Sequence, residues 1–164
     1  EGFTIGRLDS RYRGIDKKDA GMSPDFNAEL TTWLHAFTPP INMYLKNELG
    51  YKTDYQYNMF GPVYPWDQKN NQTGENLNTA MAINPYLHVL VQSGYYDGAC
   101  DYFNAKYNLW QMDPAGKFKD RMSWEGYRSG HMMYLRKDDL KESTEHIRQF
   151  IKKAMPELGK PAKY

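Results

Sequence analysis

The feature that most constrains the fold is an apolar strand followed by an aspartate, with a histidine one crossover later. Residues 89–91 are apolar on both faces, as in a buried parallel strand, and the chain then turns to Asp97. A second predicted strand, residues 122–127, leads to His131. The step of 34 residues from Asp97 to His131 fits a strand–helix–strand unit, which needs roughly 30 residues. The sequence therefore predicts two neighbouring parallel strands.

Asp97 and His131 are predicted to meet at one edge of this sheet. Adjacent strands lie about 4.8 Å apart, and the sites of open α/β sheets lie beyond the carboxyl ends of the strands. Aspartate before histidine is also the order of the last two members of an α/β-hydrolase triad. Taken singly, an aspartate after a strand is commonly a turn residue, and a lone histidine is commonly structural. Their combination favours a site in which Asp97 orients His131 as a general base.

A nucleophile for such a triad is not found in the sequence. A nucleophile elbow has the pattern Gly-x-Ser-x-Gly, and in residues 126–130 the serine, Ser129, stands one position late. Ser93 lies at a strand end without the surrounding pattern. Cys100 falls in the first turn of a predicted helix beside Asp101, which argues against a cysteine nucleophile. The 164-residue chain alone is therefore predicted to be inactive as a triad hydrolase.

Charge and composition argue against several other classes of protein. The 21 basic and 20 acidic side chains give a formal net charge of +1, which offers no electrostatic argument for nucleic-acid binding. No apolar run approaches the ~20 residues of a membrane span, so none is expected. The four histidines have no metal-ligand spacing along the chain with each other, with cysteine or with carboxylates. Neither a metal nor another cofactor is predicted.

Turn and helix signals outline the first part of the chain. Residues 1–25 lack a clear apolar period and are predicted to be extended or looped. The features that follow are a helix start at Ser23 and Pro24, an interruption at Pro39 and Pro40, a second helical stripe that stops at Gly50, and an aromatic-rich loop over residues 51–73.

Apolar periodicity predicts the elements of the second part. A strand is expected over residues 87–92, and helices over 75–84, 100–112 and 138–155. Two strands do not make a stable sheet, so further sheet is expected elsewhere. The apolar residues of the last helix, predicted to face inward, are Leu140, Ile147, Phe150, Ile151 and Met155.

Four stretches spread over nearly the whole chain carry a family resemblance. They are Gly6-Arg7-Leu8-Asp9-Ser10-Arg11-Tyr12, Leu45-Lys46-Asn47-Glu48-Leu49-Gly50-Tyr51, Val89-Leu90-Val91-Gln92-Ser93-Gly94-Tyr95-Tyr96-Asp97 and Gly130-His131-Met132-Met133-Tyr134. Together they resemble the serine carboxypeptidase family, especially its bacterial members. Gly-His-Met after a strand and the Gly-Tyr-Tyr-Asp block are the most specific of these motifs.

The resemblance implies an enzyme that releases the C-terminal amino acid of a peptide substrate through an acyl-enzyme. It implies that Asp97 is the triad acid, His131 the triad base, and Met132 a lining residue of the pocket for the leaving amino acid. The nucleophilic serine is expected on an N-terminal segment of the same protein, which makes this chain a C-terminal fragment. The family also implies a secreted or periplasmic location.

In terms of fold, the resemblance implies α/β architecture. The chain would be the C-terminal part of an α/β-hydrolase fold, with its last two parallel strands and flanking helices, plus the end of a helical cap. Residues 1–60 would be the end of the cap and the return to the core, and 61–74 an aromatic and asparagine-rich loop. Residues 75–155 would complete the core, and 156–164 would form a tail.

Two alternatives remain open at this point. The same fold serves other α/β hydrolases and acyltransferases, and the groups that would distinguish them are not in this sequence. The chain is alternatively a non-catalytic module in which the tyrosine- and tryptophan-rich loop, residues 51–73, binds a peptide or a glycan. That module would bind its ligand whether or not His131 is present.

Overall fold

The computed structural model describes residues 2–18, 23–58, 61–62, 64–67, 69 and 71–161. Within these residues the protein is mixed α/β, with four α-helices and two small sheets, one of them parallel. The elements are β1 (Phe3–Ile5), β2 (Arg13–Ile15), α1 (Leu30–Met43), a π-helical turn (Tyr44–Glu48), α2 (Thr73–Ile83), β3 (Val89–Gly94), α3 (Tyr102–Met112), a 3-10 turn (Lys119–Arg121), β4 (Met122–Tyr127), a second 3-10 turn (Met133–Leu135) and α4 (Lys137–Ala154).

The chain divides into two compact units. The first unit consists of Glu1–Arg7 and Tyr12–Asn70, and the second of Leu8–Arg11 and Asn71–Tyr164. The second unit is therefore assembled from two stretches that lie far apart in the sequence. Among the described residues, no helix is both long and apolar enough to cross a membrane.

The first unit begins with a hairpin that the sequence did not indicate. β1 and β2 pair antiparallel, with Thr4 opposite Gly14. Residues 1–25 were expected to be extended or looped, and the hairpin is an extended structure with only three residues in each strand. Because strands this short contain no full alternation of apolar and polar residues, periodicity does not reveal them.

Helix α1 differs from its prediction at its start and in its interior. It begins at Leu30 rather than at Ser23, because the carboxylate of Asp25 accepts the backbone N–H groups of Lys17 and Lys18 in a loop. Pro39 and Pro40 lie inside the helix and do not interrupt it. Proline removes a donor, but its fixed φ is a helical φ.

The end of this helical segment agrees with its prediction. The π-helical turn follows α1 directly, and Gly50 comes after it with a φ of 65°. The N–H of Tyr51 donates to the carbonyl of Leu45 at 2.9 Å, which is the arrangement that a terminating glycine permits. From residue 51 to residue 72, the described residues form neither helix nor strand, as expected of the aromatic-rich loop.

The strand–helix–strand unit predicted from the sequence is present in the second unit. β3 and β4 pair in parallel, from Val89 opposite Met122 to Gly94 opposite Tyr127, and α3 connects them. β4 has its predicted bounds, whereas β3 lies two residues later than predicted. Among the described residues these two strands pair only with each other, so the sheet has two unpaired edges.

The inward face predicted for α4 is wrong. Leu140, Ile147, Ile151 and Met155 are exposed, and only Phe150 of the predicted set is half-buried. The residues of α4 that are buried are polar, Asp139 and Ser143. Hydrogen bonds explain their burial, since Asp139 accepts from Ser129 and Arg136, and the Ser143 hydroxyl donates to the carbonyl of Leu140.

Candidate active site

The parallel strands bring Asp97 and His131 into contact. Asp97 follows the end of β3 and His131 follows the end of β4, so both lie at the carboxyl edge of the sheet. Oδ2 of Asp97 is 2.8 Å from Nδ1 of His131. The Asp97 side chain is only 5% exposed, whereas that of His131 is 43% exposed. A buried carboxylate thus holds one end of an imidazole whose ring is open to solvent.

The carboxylate of Asp97 is fixed by its own loop. Oδ1 accepts the backbone N–H groups of Ala99 at 2.8 Å and of Cys100 at 3.0 Å. Oδ2 is then directed to His131. Burying a carboxylate is costly unless its oxygens are hydrogen-bonded, and here both oxygens have partners.

The two loops that carry Asp97 and His131 are tied together beyond the ends of the strands. The N–H of Tyr95 donates to the carbonyl of Tyr127 at 2.9 Å, and that of Tyr96 donates to the carbonyl of Ser129 at 3.0 Å. A Cβ on Gly94 would overlap the backbone of this second loop, at the carbonyl oxygen of Ser129. Only glycine lets the loops approach this closely.

The hydrogen bond to Asp97 sets the tautomer of His131. A carboxylate only accepts hydrogen bonds, so Nδ1 of the imidazole carries the proton that it donates to Oδ2. In the neutral imidazole the second ring nitrogen, Nε2, is then an acceptor. This is the state in which a histidine takes a proton from a hydroxyl while a carboxylate stabilises the resulting imidazolium.

Cys100 lies beside this pair. Its Sγ, a carboxylate oxygen of Asp97 and a ring nitrogen of His131 all lie within 4.8 Å of one another. The backbone N–H of Cys100 donates to Oδ1 of Asp97, so Cys100 belongs to the loop that fixes this carboxylate.

The same three side chains could hold a metal ion. They form the one such group of histidine, cysteine and acidic residues in the described part of the chain, and Zn²⁺ accepts this mixture of ligands. The sequence did not indicate the group, because His131 reaches the other two from a different strand. A metal on the His131 ring and a free imidazole base exclude one another.

Ser129 and Met132 flank the histidine loop. The Ser129 side chain is fully buried, and its hydroxyl is bound by the carboxylate of Asp139 and the carbonyl of Met133. It is therefore part of a separate network.

Met132 is half-buried directly before the second 3-10 turn and next to His131 in the chain. Its role as a pocket residue stays a prediction.

A buried polar network lies between the sheet and α4. The hydroxyl of Tyr127, the last residue of β4, is 2.9 Å from Nδ1 of His146 and accepts a hydrogen bond from Gln92 Nε2 at 2.7 Å. Burial raises the pKa of Tyr127 to about 12, with a further increase from the nearby charge of Glu125. Tyr127 is thus held as a neutral phenol close to the loop that carries His131.

Sequence reasoning missed the contribution of Leu8 to this site. The backbone N–H of His131 donates to the carbonyl of Leu8 at 2.8 Å. Gly130 permits this close approach. A Cβ at Gly130 would lie 2.6 Å from the carbonyl oxygen of Leu8 and 2.5 Å from Cβ of Asp9. The only signal for this contact in the sequence was the first of the four family-like stretches.

The chain was compared with family models, with curated proteins and with solved structures, and none of them matches it.

Proposed function

We propose that this chain carries the acid and the base of a serine carboxypeptidase of the α/β-hydrolase fold. The observation that carries the proposal is the 2.8 Å contact of Asp97 Oδ2 with His131 Nδ1 at the carboxyl edge of two parallel strands. The family-like stretches around both residues support the same assignment. Met132 is proposed to line the pocket for the leaving amino acid, and a secreted or periplasmic location goes with the family.

The proposed reaction uses His131 twice. A serine hydroxyl attacks the last peptide carbonyl, and Nε2 of His131 takes its proton while Asp97 stabilises the imidazolium. The tetrahedral intermediate collapses, the peptide C–N bond breaks, and His131 returns the proton to the leaving amine. Water, deprotonated by the same nitrogen, then attacks the acyl-enzyme and releases the shortened peptide and the serine. No redox step or cofactor is needed.

The nucleophile is proposed to lie on another segment of the same protein. The buried hydroxyl of Ser129 is already bound by Asp139. The unpaired edges of the two-stranded sheet, as far as the structure describes the chain, offer positions at which that segment would add strands. In this proposal β3 and β4 are the last two strands of the complete hydrolase sheet.

The test is carboxypeptidase activity of the whole source protein on N-acylated dipeptides that differ in their C-terminal residue. We expect His131→Ala to lower kcat by about 10³-fold or more. The matched control is His35→Ala, which removes an exposed histidine of α1. A serine-directed fluorophosphonate should label the protein, and peptide mapping should place the label outside the 164 residues.

Two outcomes would contradict this function. One is a wild-type protein that releases no amino acid from any of the dipeptides. The other is activity that survives His131→Ala. Transfer of the acyl group to an added amine or alcohol, without net hydrolysis, would instead favour an acyltransferase of the same fold.

A second candidate function is supported by a cleft of about 150 Å³ in the first unit. Its lining includes Tyr51, Tyr55 and Tyr57, which are all exposed, and the N–H of Tyr57 donates to Oδ1 of Asn42 in α1 at 2.8 Å. Exposed tyrosines offer an apolar ring and a polar hydroxyl, which suits a peptide or a glycan. Binding to a glycan or peptide array that is lost in Tyr55→Ala and kept in His131→Ala would favour this function.

A further inference from the structure

Four residues near the start of the chain belong to the unit that carries the candidate site. Leu8–Arg11 clusters with Asn71–Tyr164, whereas the residues on either side of this segment belong to the first unit. Its backbone binds both loops of the site. The carbonyl of Leu8 accepts the N–H of His131 at 2.8 Å, and the N–H of Ser10 donates to the carbonyl of Tyr96 at 2.9 Å.

Arg11 adds a side-chain contact to each of the same loops. Its Nη1 donates to the carbonyl of Arg128 at 2.7 Å, three residues before His131. Its guanidinium lies over the ring of Tyr96, 5.3 Å from the ring centroid, and Tyr96 directly precedes Asp97. One side chain therefore contacts both the loop of the acid and the loop of the base.

Asp9 holds Arg11 in this position. Oδ1 of Asp9 accepts from the Arg11 backbone N–H at 3.1 Å and from Nε at 2.9 Å, and Oδ2 accepts from Nη2 at 2.6 Å. Asp9 is 3% exposed, so the pair is shielded from water on the side of the carboxylate. A two-point contact between guanidinium and carboxylate fixes the plane of the guanidinium as well as its distance.

We propose that Leu8–Arg11 is a brace that positions His131 against Asp97. The backbone of Leu8 fixes the main chain at His131, and Arg11, oriented by Asp9, fixes the loop that leads to it. The four residues touch no reacting atom, so Arg11 and Asp9 are positioning residues. The catalytic consequence of the brace rests on the proposed function, whereas its effect on the Asp97–His131 hydrogen bond does not.

The brace predicts a specific defect. Without Arg11, the carbonyl of Arg128 loses its side-chain partner, and the histidine loop gains freedom relative to the aspartate loop. A displacement of about 1 Å in a catalytic group costs up to about 10²-fold in rate. We therefore expect Arg11→Ala to lower kcat by about 10- to 100-fold with little change in KM, because substrate binding does not involve the brace.

The experiment measures the hydrogen bond directly by NMR of the ¹⁵N-histidine-labelled whole protein. His131 is assigned by comparison with His131→Gln, and its strongly deshielded Nδ1 proton reports the bond to Asp97. In Arg11→Ala this resonance should broaden or shift upfield. Arg11→Lys keeps the charge but cannot make the two-point contact, so it should show the same defect. The matched control is Arg13→Ala in β2, whose guanidinium lies over Phe3.

An unchanged Nδ1 resonance in both Arg11 variants would overturn the brace, whatever happens to activity. If Arg11→Ala does not fold, Arg11→Lys decides the question. Asp9→Asn, which breaks the same two-point contact between guanidinium and carboxylate, is the third variant. Failure of the proposed function has a different signature. The wild type would then show the deshielded proton and its loss in the variants, but no release of amino acids from dipeptides.

Discussion

Asp97 and Asp113 show how the partners of a buried aspartate decide its function. Both oxygens of Asp113 accept backbone N–H groups, those of Lys117 at 2.9 Å and Phe118 at 2.7 Å, so its whole carboxylate stabilises a turn. Asp97 uses only Oδ1 in this way and directs Oδ2 to His131. Oδ1 of Asp97 therefore acts as a turn residue would, whereas Oδ2 makes the contact with His131 on which the proposed site rests.

This difference predicts opposite effects of the same substitution. Asp97→Asn keeps an oxygen for the turn but offers an amide to Nδ1 of His131, so kcat should fall by about 10³- to 10⁴-fold with little loss of stability. Asp113→Asn turns an acceptor into a donor that faces a backbone N–H, and should lower the free energy of unfolding by about 1–3 kcal/mol with kcat unchanged. Kinetics and urea unfolding of both variants check this. A loss of activity in Asp113→Asn at full stability would contradict it.

The buried phenol of Tyr127 predicts a pH effect at the alkaline end. Its pKa is raised to about 12, above the ordinary value of 10.0 that it regains on unfolding. The folded state therefore holds a proton that the unfolded state has lost, and the stability linked to Tyr127 is present below pH 10 and lost as the pH rises towards 12. Absorbance titration should show one late-ionising tyrosine that is missing in Tyr127→Phe. Ionisation of all tyrosines near pH 10 in the folded protein would argue against this environment.

At the scale of elements, the parts that could be predicted are those with local signals. The apolar run of β3, the helix that follows and the step from Asp97 to His131 are all contained within some forty residues. They predicted the parallel pair and the contact between Asp97 and His131. The hydrogen bond from His131 to Leu8 depends on a segment more than a hundred residues away, and no periodicity or motif spacing reports such a contact.

Helix α4 shows a second limit of pattern reasoning. The apolar residues Leu140, Ile147 and Ile151 were expected to face inward, yet these side chains are exposed. Periodicity identifies the helix and its apolar face but assumes that the largest apolar face packs inside the same chain. Here the hydrogen bonds from Ser129 to Asp139 and from Gln92 of β3 to the carbonyl of Ser143 hold the polar face inward.

Because the histidine loop packs closely against the brace, we expect a side chain at position 130 to destabilise the protein. Gly130→Ala puts a methyl group 2.5 Å from Cβ of Asp9, which should lower the free energy of unfolding by about 1–3 kcal/mol. Gly74 in α2 has open space around its Cβ position, so Gly74→Ala should instead raise that free energy by about 0.4–1 kcal/mol. Urea unfolding of the two variants makes the comparison. Equal effects would mean that the loop yields easily to the methyl group.

At the scale of the whole molecule, the described residues bury few large apolar side chains. Trp33, Met81, Met122 and Tyr127 are buried, whereas many aromatic and aliphatic residues in both units are exposed. Apolar surface on this scale is characteristic of protein interfaces. It agrees with the unpaired strand edges in the described part of the second unit.

We therefore expect the 164-residue chain, prepared by itself, to bind the dye ANS and to sediment above its monomer mass of 19.2 kDa. Analytical ultracentrifugation at several concentrations, together with ANS fluorescence, checks this. Addition of the remaining part of the source protein, if the proposed function is right, should suppress both signals. A monomer that does not bind ANS would show that the exposed apolar side chains do not need a partner segment to cover them.

The division of the second unit in the sequence has a consequence for the nascent chain. Arg11 and Arg128 are separated by 117 residues, so the ribosome releases the brace long before the loop that it holds. At translation rates of about 5–20 residues per second, the interval is roughly 6–25 seconds. During that time Asp97 is synthesised, but His131 is not yet part of the chain. The contact between Asp97 and His131, and the hydrogen bond from His131 to Leu8, therefore form only after the chain has been synthesised past His131.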